Sequence, residues 1–167
     1  GALEMTARVI EASPLTAADF EPFGDVIESA GSPTFAINGG MCDRFHDLAR
    51  VDVVGPDAHL GISIGVSKPF ALPLTLRMVE RHPLGSQAFV PMIDDPFLVV
   101  VAQDYGGRPG EPRAFMTNGV QGVNYLRGVW HGVLTPIGRT SRFLIIDRVG
   151  PGENLEEHVY GAPWTVH

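Results

Sequence analysis

The chain is poor in cysteine, and its single thiol, Cys42, excludes an internal disulfide framework and a thiolate zinc cluster. A lone thiol fits a reducing compartment, so a cytoplasmic protein is expected. Long apolar runs are also missing. The longest, such as Phe97 to Ala102, are far too short to cross a bilayer, and there is no signal-peptide pattern, so no membrane partner is expected. Basic blocks are absent as well. Lys and Arg number 12 against 19 Asp and Glu, the net charge is −7, and the arginines are scattered, which excludes the electrostatic footprint of a nucleic-acid binder. A small-molecule partner is the remaining expectation.

What is present points to β-structure. The 20 glycines and 14 prolines are spread along 167 residues of which 44% are hydrophobic, a pattern of many short strands and turns with one interior. A single domain over residues 1–167 is expected, mainly β, as a barrel or sandwich with short peripheral helices. Thr16 is placed to cap a brief helix over residues 17–21, with Asp19 in its first turn. Strands are expected at residues 8–10, 51–54, 60–66, 97–102, 114–117, 120–126 and 142–149. Asn118-Gly119 reads as a hairpin turn. Residues 35–48 have no clean period, and the tail reads as a helical turn near residues 154–157.

The most informative stretch is Leu74 to Pro91. Alternation puts Leu74, Leu76, Met78, Glu80 and His82 on one face, so an apolar row ends in a carboxylate and an imidazole. Pro83-Leu84-Gly85 then makes a tight turn into a returning strand that carries Gln87 and Phe89 on the same inner face. Buried polar groups cost free energy unless paired, so three of them beside an apolar interior suggest a site.

The spacing Glu80-X-His82-X4-Gln87 resembles the first metal-binding motif of the cupin fold, and Gly128-X2-His131 resembles the second. Three positions depart from that pattern: Glu80 stands for a histidine, Gln87 for a glutamate, and Leu126 for the proline before the glycine. Glu80, His82, Gln87 and His131 form a mixed nitrogen and oxygen donor set that suits nickel, manganese, iron or zinc and selects none of them. Without an ion, the same groups form a hydrogen-bonding cluster able to move protons.

Longer stretches carry a more specific resemblance. Glu-Arg-His-Pro-Leu-Gly-Ser-Gln-Ala-Phe (80–89) and Asn-Gly-Val-Gln-Gly-Val-Asn-Tyr-Leu-Arg-Gly-Val-Trp-His (118–131) resemble the ureidoglycolate lyase family. So do Phe23-Gly-Asp-Val-Ile-Glu28, Ile37-Asn-Gly-Gly40, Arg44-Phe-His-Asp-Leu48 and Ile146-Asp-Arg148. The resemblance implies a cupin-like barrel, or double-stranded β-helix, that forms a homodimer. It implies cleavage of (S)-ureidoglycolate to glyoxylate and urea in allantoin and purine breakdown, with nickel as the family's cofactor.

That reaction needs a base for the substrate hydroxyl and an acid for the departing nitrogen. Glu80 or His131 is the expected base, with His82 or a metal stabilising the alkoxide. Gln87 and Asn124 suit the ureido group. Arg44, Arg127 and Lys68 are the candidate cations for the substrate carboxylate, arginine being favoured for its two-pronged grip. Tyr125 and Trp130 read as packing. His46 and Asp47 are second-tier site candidates, His59, His158 and His167 read as solvated, and Cys42 as inert. A non-catalytic cupin that binds a small organic acid is the alternative of a different class. A metal-dependent oxygenase or isomerase loses ground through the departures at Glu80 and Gln87.

Overall fold

A computed structural model describes residues 8–167. In chain order the strands are β1 (Val9–Ile10), β2 (Ala12–Pro14), β3 (Gly24–Ile27), β4 (Phe35–Ile37), β5 (Cys42–Arg44) and β6 (His59–Ser67). The central group is β7 (Leu74–Arg81), β8 (Gln87–Pro91), β9 (Phe97–Ala102), β10 (Asp104–Tyr105), β11 (Arg108–Pro109) and β12 (Arg113–Met116). The last are β13 (Gly122–Tyr125), β14 (Trp130–His131), β15 (Thr135–Pro136), β16 (Ser141–Val149) and β17 (Glu156–Val166). The short helix α1 (Ala17–Phe20) lies between β2 and β3, and Thr16 Oγ1 accepts from the Asp19 N–H as its cap.

Two sheets organise the chain. The larger has the order β1-β17-β7-β14-β9-β12-β2, with β15 beside β9, and the smaller has the order β3-β13-β8-β16-β6. Only Glu11 separates β1 from β2, yet β1 pairs with β17 and β2 with β12, so the larger sheet curls into a nearly closed barrel. β9 forms part of the wall shared by two cores, which explains why all six of its residues are buried. Leu98, Val100 and Ala102 join Leu76, Val79, Ala114, Trp130 and Val166 in one core. On the other face Phe97, Val99 and Val101 pack with Phe89, Phe115, Val123, Tyr125 and Phe143, between the barrel wall and the smaller sheet. This mainly β, barrel-like architecture is the expected cupin-like one.

Five local expectations change. Residues 74–91 do not form a hairpin: β7 pairs with β14 and β17, whereas β8 pairs with β13 and β16, so the Pro83-Leu84-Gly85 corner carries the chain from one sheet to the other. The Asn118-Gly119 corner does the same between β12 and β13. Turn residues signal a reversal but not whether the two strands share hydrogen bonds or face each other across a core. Leu76 leaves the row of Glu80 as well. The β7–β17 register shifts between Leu76 and Met78, where four residues of β17 oppose Arg77 alone, and Leu76 enters the barrel core beside Val79. That same bulge interrupts the period of the tail, which is a strand of 11 residues instead of a helical turn. Residues 51–54 contribute only an isolated bridge from Val53 to Gly85.

Candidate active site

At one end of the space between the sheets, polar side chains replace the apolar ones. His131 lies directly across from Glu80 in the β14–β7 register, so barrel strands supply both. Tyr125, Gln87 and Asp147 form a row on the facing sheet, since Gln87 pairs with Tyr125 on one side and with Asp147 on the other. The turn before β14 is held by Gly128, whose φ of +81° favours glycine and whose N–H donates to the His82 carbonyl at 3.0 Å. That bond ties the turn carrying His131 to the end of the strand carrying Glu80 and His82.

His131 is fully buried and stacked on Tyr125, with ring centroids 4.2 Å apart and planes 5° from parallel. Its Nδ1 is 2.9 Å from the Gly132 carbonyl, which can only accept, so Nδ1 carries the proton and Nε2 presents a lone pair. Nε2 is buried and has no hydrogen-bond partner among the described residues. Burial is the main influence on this ring and pulls its pKa down to about 3; the Gly132 bond opposes the shift and the nearby His82 adds to it. The ring is therefore neutral over the physiological range. Glu80 moves upward, chiefly through burial and further through Glu157, while His82 opposes the change. Burial, reinforced by the charge of Glu80, also raises the Tyr125 phenol.

A hydrogen-bonded chain spans both sheets beside this pair. Asp147 Oδ2 accepts from Gln87 Nε2 at 3.0 Å, Gln87 Oε1 faces His82 Nε2 at 3.0 Å, and His82 Nδ1 faces the Asn154 carbonyl at 2.8 Å. Asn154 also closes the corner, its Oδ1 accepting from the Leu84 N–H at 2.8 Å. With the amide in this orientation, both ring nitrogens of His82 meet acceptors.

Glu80, His82 and His131 place one ligand atom each within 4.8 Å of one another. The partnerless Nε2 of His131 is the best sign that this set fits a divalent ion, because a buried lone pair without a donor is costly unless something binds it. Two imidazole nitrogens and one carboxylate suit a borderline metal such as nickel or zinc. Gln87, expected as a fourth ligand, has its amide engaged by His82 and Asp147.

The expected substrate-binding residues divide. Gln87 joins the cluster. Asn124 does not: it lies on the reverse face of β13, fully buried, and its Nδ2 donates to Asp25 Oδ2 and the Arg50 carbonyl at 3.0 and 3.3 Å. Arg127 pairs with Asp52 at 3.1 Å, and Arg44 sits on the exposed β4–β5 hairpin with its guanidinium over Phe35. Lys68 is exposed just beyond β6. His46 lies against Phe35 in the same exposed region. Trp130 points into the barrel core, under the Arg81 guanidinium, as packing. Two cluster members escaped the sequence reading. Tyr125 read as packing, although its alternation with Val123 aims it inward. Asp147 ends the core-facing row Phe143, Ile145, Asp147, which is the same signal that singled out Glu80.

Comparison with known proteins identifies the family. The ureidoglycolate lyase family model matches residues 7–167. A protein of Chelativorans sp. strain BNC1 named ureidoglycolate lyase is 58% identical over 160 residues, covering 96% of this chain and 97% of the relative. Ureidoglycolate lyase 2 of Rhizobium meliloti strain 1021 is 57% identical, covering 92% and 94%, and a Mesorhizobium japonicum ureidoglycolate lyase is 52% identical, covering 95% and 97%. With the match running through both sheets and every residue of the cluster, the chain belongs to the ureidoglycolate lyase family.

Proposed function

We propose that this protein cleaves (S)-ureidoglycolate to glyoxylate and urea in purine and allantoin breakdown. The observation that carries the reading is the buried His131 Nε2, without a partner among the described residues, in a cluster with the Glu80 carboxyl of raised pKa, in a chain of this family. The substrate bears a hydroxyl and a ureido nitrogen on one carbon. Removing the hydroxyl proton forms the carbonyl as the carbon–nitrogen bond breaks, and the nitrogen takes up one proton, so no water is consumed. Glu80 is the base: burial raises its proton affinity and favours proton uptake from the substrate. His131, held neutral, accepts a hydrogen bond and orients the hydroxyl. An N–H of His82, the ring that faces Gln87, is the proton source for the departing nitrogen.

The same three side chains would hold nickel, the family's metal. A bound ion would supply Lewis-acid stabilisation of the developing alkoxide. The two uses exclude each other at His82, because a nitrogen that holds an ion carries no proton. The test is product analysis from (S)-ureidoglycolate in chelated and nickel-reloaded protein. Urea with glyoxylate in both samples supports the acid–base reading, and urea restored only by nickel supports the metal. Ammonia in place of urea would overturn the lyase reading in favour of a hydrolase.

A cytoplasmic homodimer completes the proposal. Among described residues no helix is long and apolar enough to cross a membrane, and the one cysteine is exposed and unpaired. Support for a second copy comes from the outer face of the smaller sheet, where edge strand β6 exposes Leu60, Ile62, Ile64 and Val66, Ile62 by 73%. Ile146 and Leu144 of β16 lie beside Ile62 and Ile64 in register and widen the stripe. Sedimentation of Ile62→Asp/Ile64→Asp is expected to give a monomer from a dimeric parent.

A further inference from the structure

No role above requires Asp147 to touch the substrate, yet it holds one end of the cluster. The two ends of a glutamine amide have nearly the same shape and opposite hydrogen-bonding character, so packing alone does not decide which end faces a site. Gln87 sits between two groups, His82 and Asp147, and the one suited to accepting alone is the Asp147 carboxylate. Asp147 takes the amide NH2 at 3.0 Å, and the carbonyl oxygen is thereby turned toward His82 at the same distance. His82 is fixed from its other side by the Asn154 carbonyl. Asp147 comes from β16, Gln87 from β8 and His82 from the end of β7, so the chain of bonds crosses from one sheet to the other.

We propose that Asp147 is a positioning residue, which acts through Gln87 to present an amide oxygen, and not an amide NH2, to His82 and the reacting centre. The role holds for either use of the cluster. Without an ion, the Gln87 oxygen receives the His82 N–H. With an ion on His82, the oxygen loses that donor and faces the centre as a lone-pair donor. In both cases an NH2 in its place would oppose the arrangement.

This proposal rests on the lyase reading, and the experiment separates the two. Asp147→Ala is expected to lower kcat/KM by about 10-fold or more, as loss of an outer hydrogen-bonding partner does at such sites. Gln87→Glu alone is expected to be impaired as well, by setting two carboxylates against each other. The decisive variant is Asp147→Asn/Gln87→Glu, which rebuilds the pair with the bond reversed. The amide introduced at position 147 donates to one oxygen of the carboxylate introduced at position 87, while the other oxygen still faces His82. Recovery from the Gln87→Glu level to within a few-fold of the parent is the expected outcome. A double variant no more active than Gln87→Glu would overturn the proposal, since a residue needed only for folding gives no rescue.

If the parent itself releases no urea above background, the lyase reading fails while the positioning role keeps its own readout. In protein labelled with 15N at glutamine amides, the Gln87 NH2 is expected to be protected from exchange in the parent. It is expected to lose that protection in Asp147→Ala at unchanged thermal midpoint. Equal exchange in both proteins would sink the proposal without reference to activity.

Discussion

The two corners that cross between the sheets carry similar residues and do different work. At residues 117–121 the polar groups are saturated, largely by backbone. Thr117 Oγ1 accepts from the Phe97 N–H, Gln121 Oε1 accepts from the Asn118 N–H, and Gln121 Nε2 donates to the Leu15 carbonyl and Glu28. At residues 82–87 the glutamine bonds only to side chains, the Asp147 carboxylate and the His82 ring. Nearby, His131 Nε2 has no partner among the described residues. Polar composition beside an apolar core therefore does not mark a site. What marks it is hydrogen-bonding capacity that the backbone does not consume, because that capacity remains available to a ligand.

The largest effect should come from Glu80. Glu80→Gln keeps the shape and removes the base, and glyoxylate release is expected to fall by roughly 10²–10⁴-fold. Folding should move the other way. The folded state holds the Glu80 carboxyl above its ordinary pKa, so ionised Glu80 lowers stability as pH rises past the unfolded value of 4.5. At neutral pH the variant should melt at a higher temperature than the parent. Lower activity together with a lower midpoint would mean that Glu80 is a structural ion-pair member and not a strained functional group.

His131 gives a second contrast through pH. Its ring is neutral when folded, with a pKa near 3, and takes a proton below about 6.5 when unfolded. Between those values the unfolded state binds more protons, so stability is full above the window and is lost as pH falls through it. The slope approaches about 1.4 kcal/mol per pH unit. Urea denaturation of His131→Asn from pH 7 to pH 4 should show a flatter profile than the parent, with product release abolished. Parallel profiles would show that the ring is not held neutral.

The two corner glutamines test the comparison directly. Gln87→Ala is expected to cost about 10–100-fold in kcat/KM with little change in stability. Gln121→Ala should do the reverse, because it strands the buried Leu15 carbonyl and takes the acceptor from the Asn118 N–H, at a cost of about 1–3 kcal/mol while kcat stays near the parent value. Equal losses of activity in the two variants would break the distinction.

The extent to which this site was legible follows from what alternation encodes. Period-two patterning puts Glu80 beside an apolar row and Phe143, Ile145 and Asp147 on one face, and those inward placements hold near the site. The pairing partner of each strand is not encoded there, so both corners read as hairpins. The β7 bulge was hidden as well, because it depends on four residues of β17 bowing out against Arg77, in a segment whose own sequence suggested a helical turn. The substrate cation was the least legible. Arginine positions carry no period, and the contacts of Arg44 and Arg127, with Phe35 and Asp52, depend on loops remote from the motif.

The smallest expected effect is also the sharpest use of alternation, because it concerns neighbours in β13. Asn124 and Tyr125 differ by one position and by the face they serve. Asn124 faces Asp25 and the Arg50 carbonyl, and Asp25 keeps its two bonds from Arg50 when the amide is removed. Asn124→Ala should therefore cost only about 1 kcal/mol in stability and leave kcat/KM within about 2-fold. Tyr125→Phe keeps the ring stacked on His131 and removes a phenol close enough to Glu80 for its charge to be felt. Stability should be nearly unchanged, and kcat should fall by a few-fold, about 1 kcal/mol in the barrier. If Asn124→Ala reduces turnover more than Tyr125→Phe does, the substrate occupies the outer face of the smaller sheet, and the space between the sheets is only core.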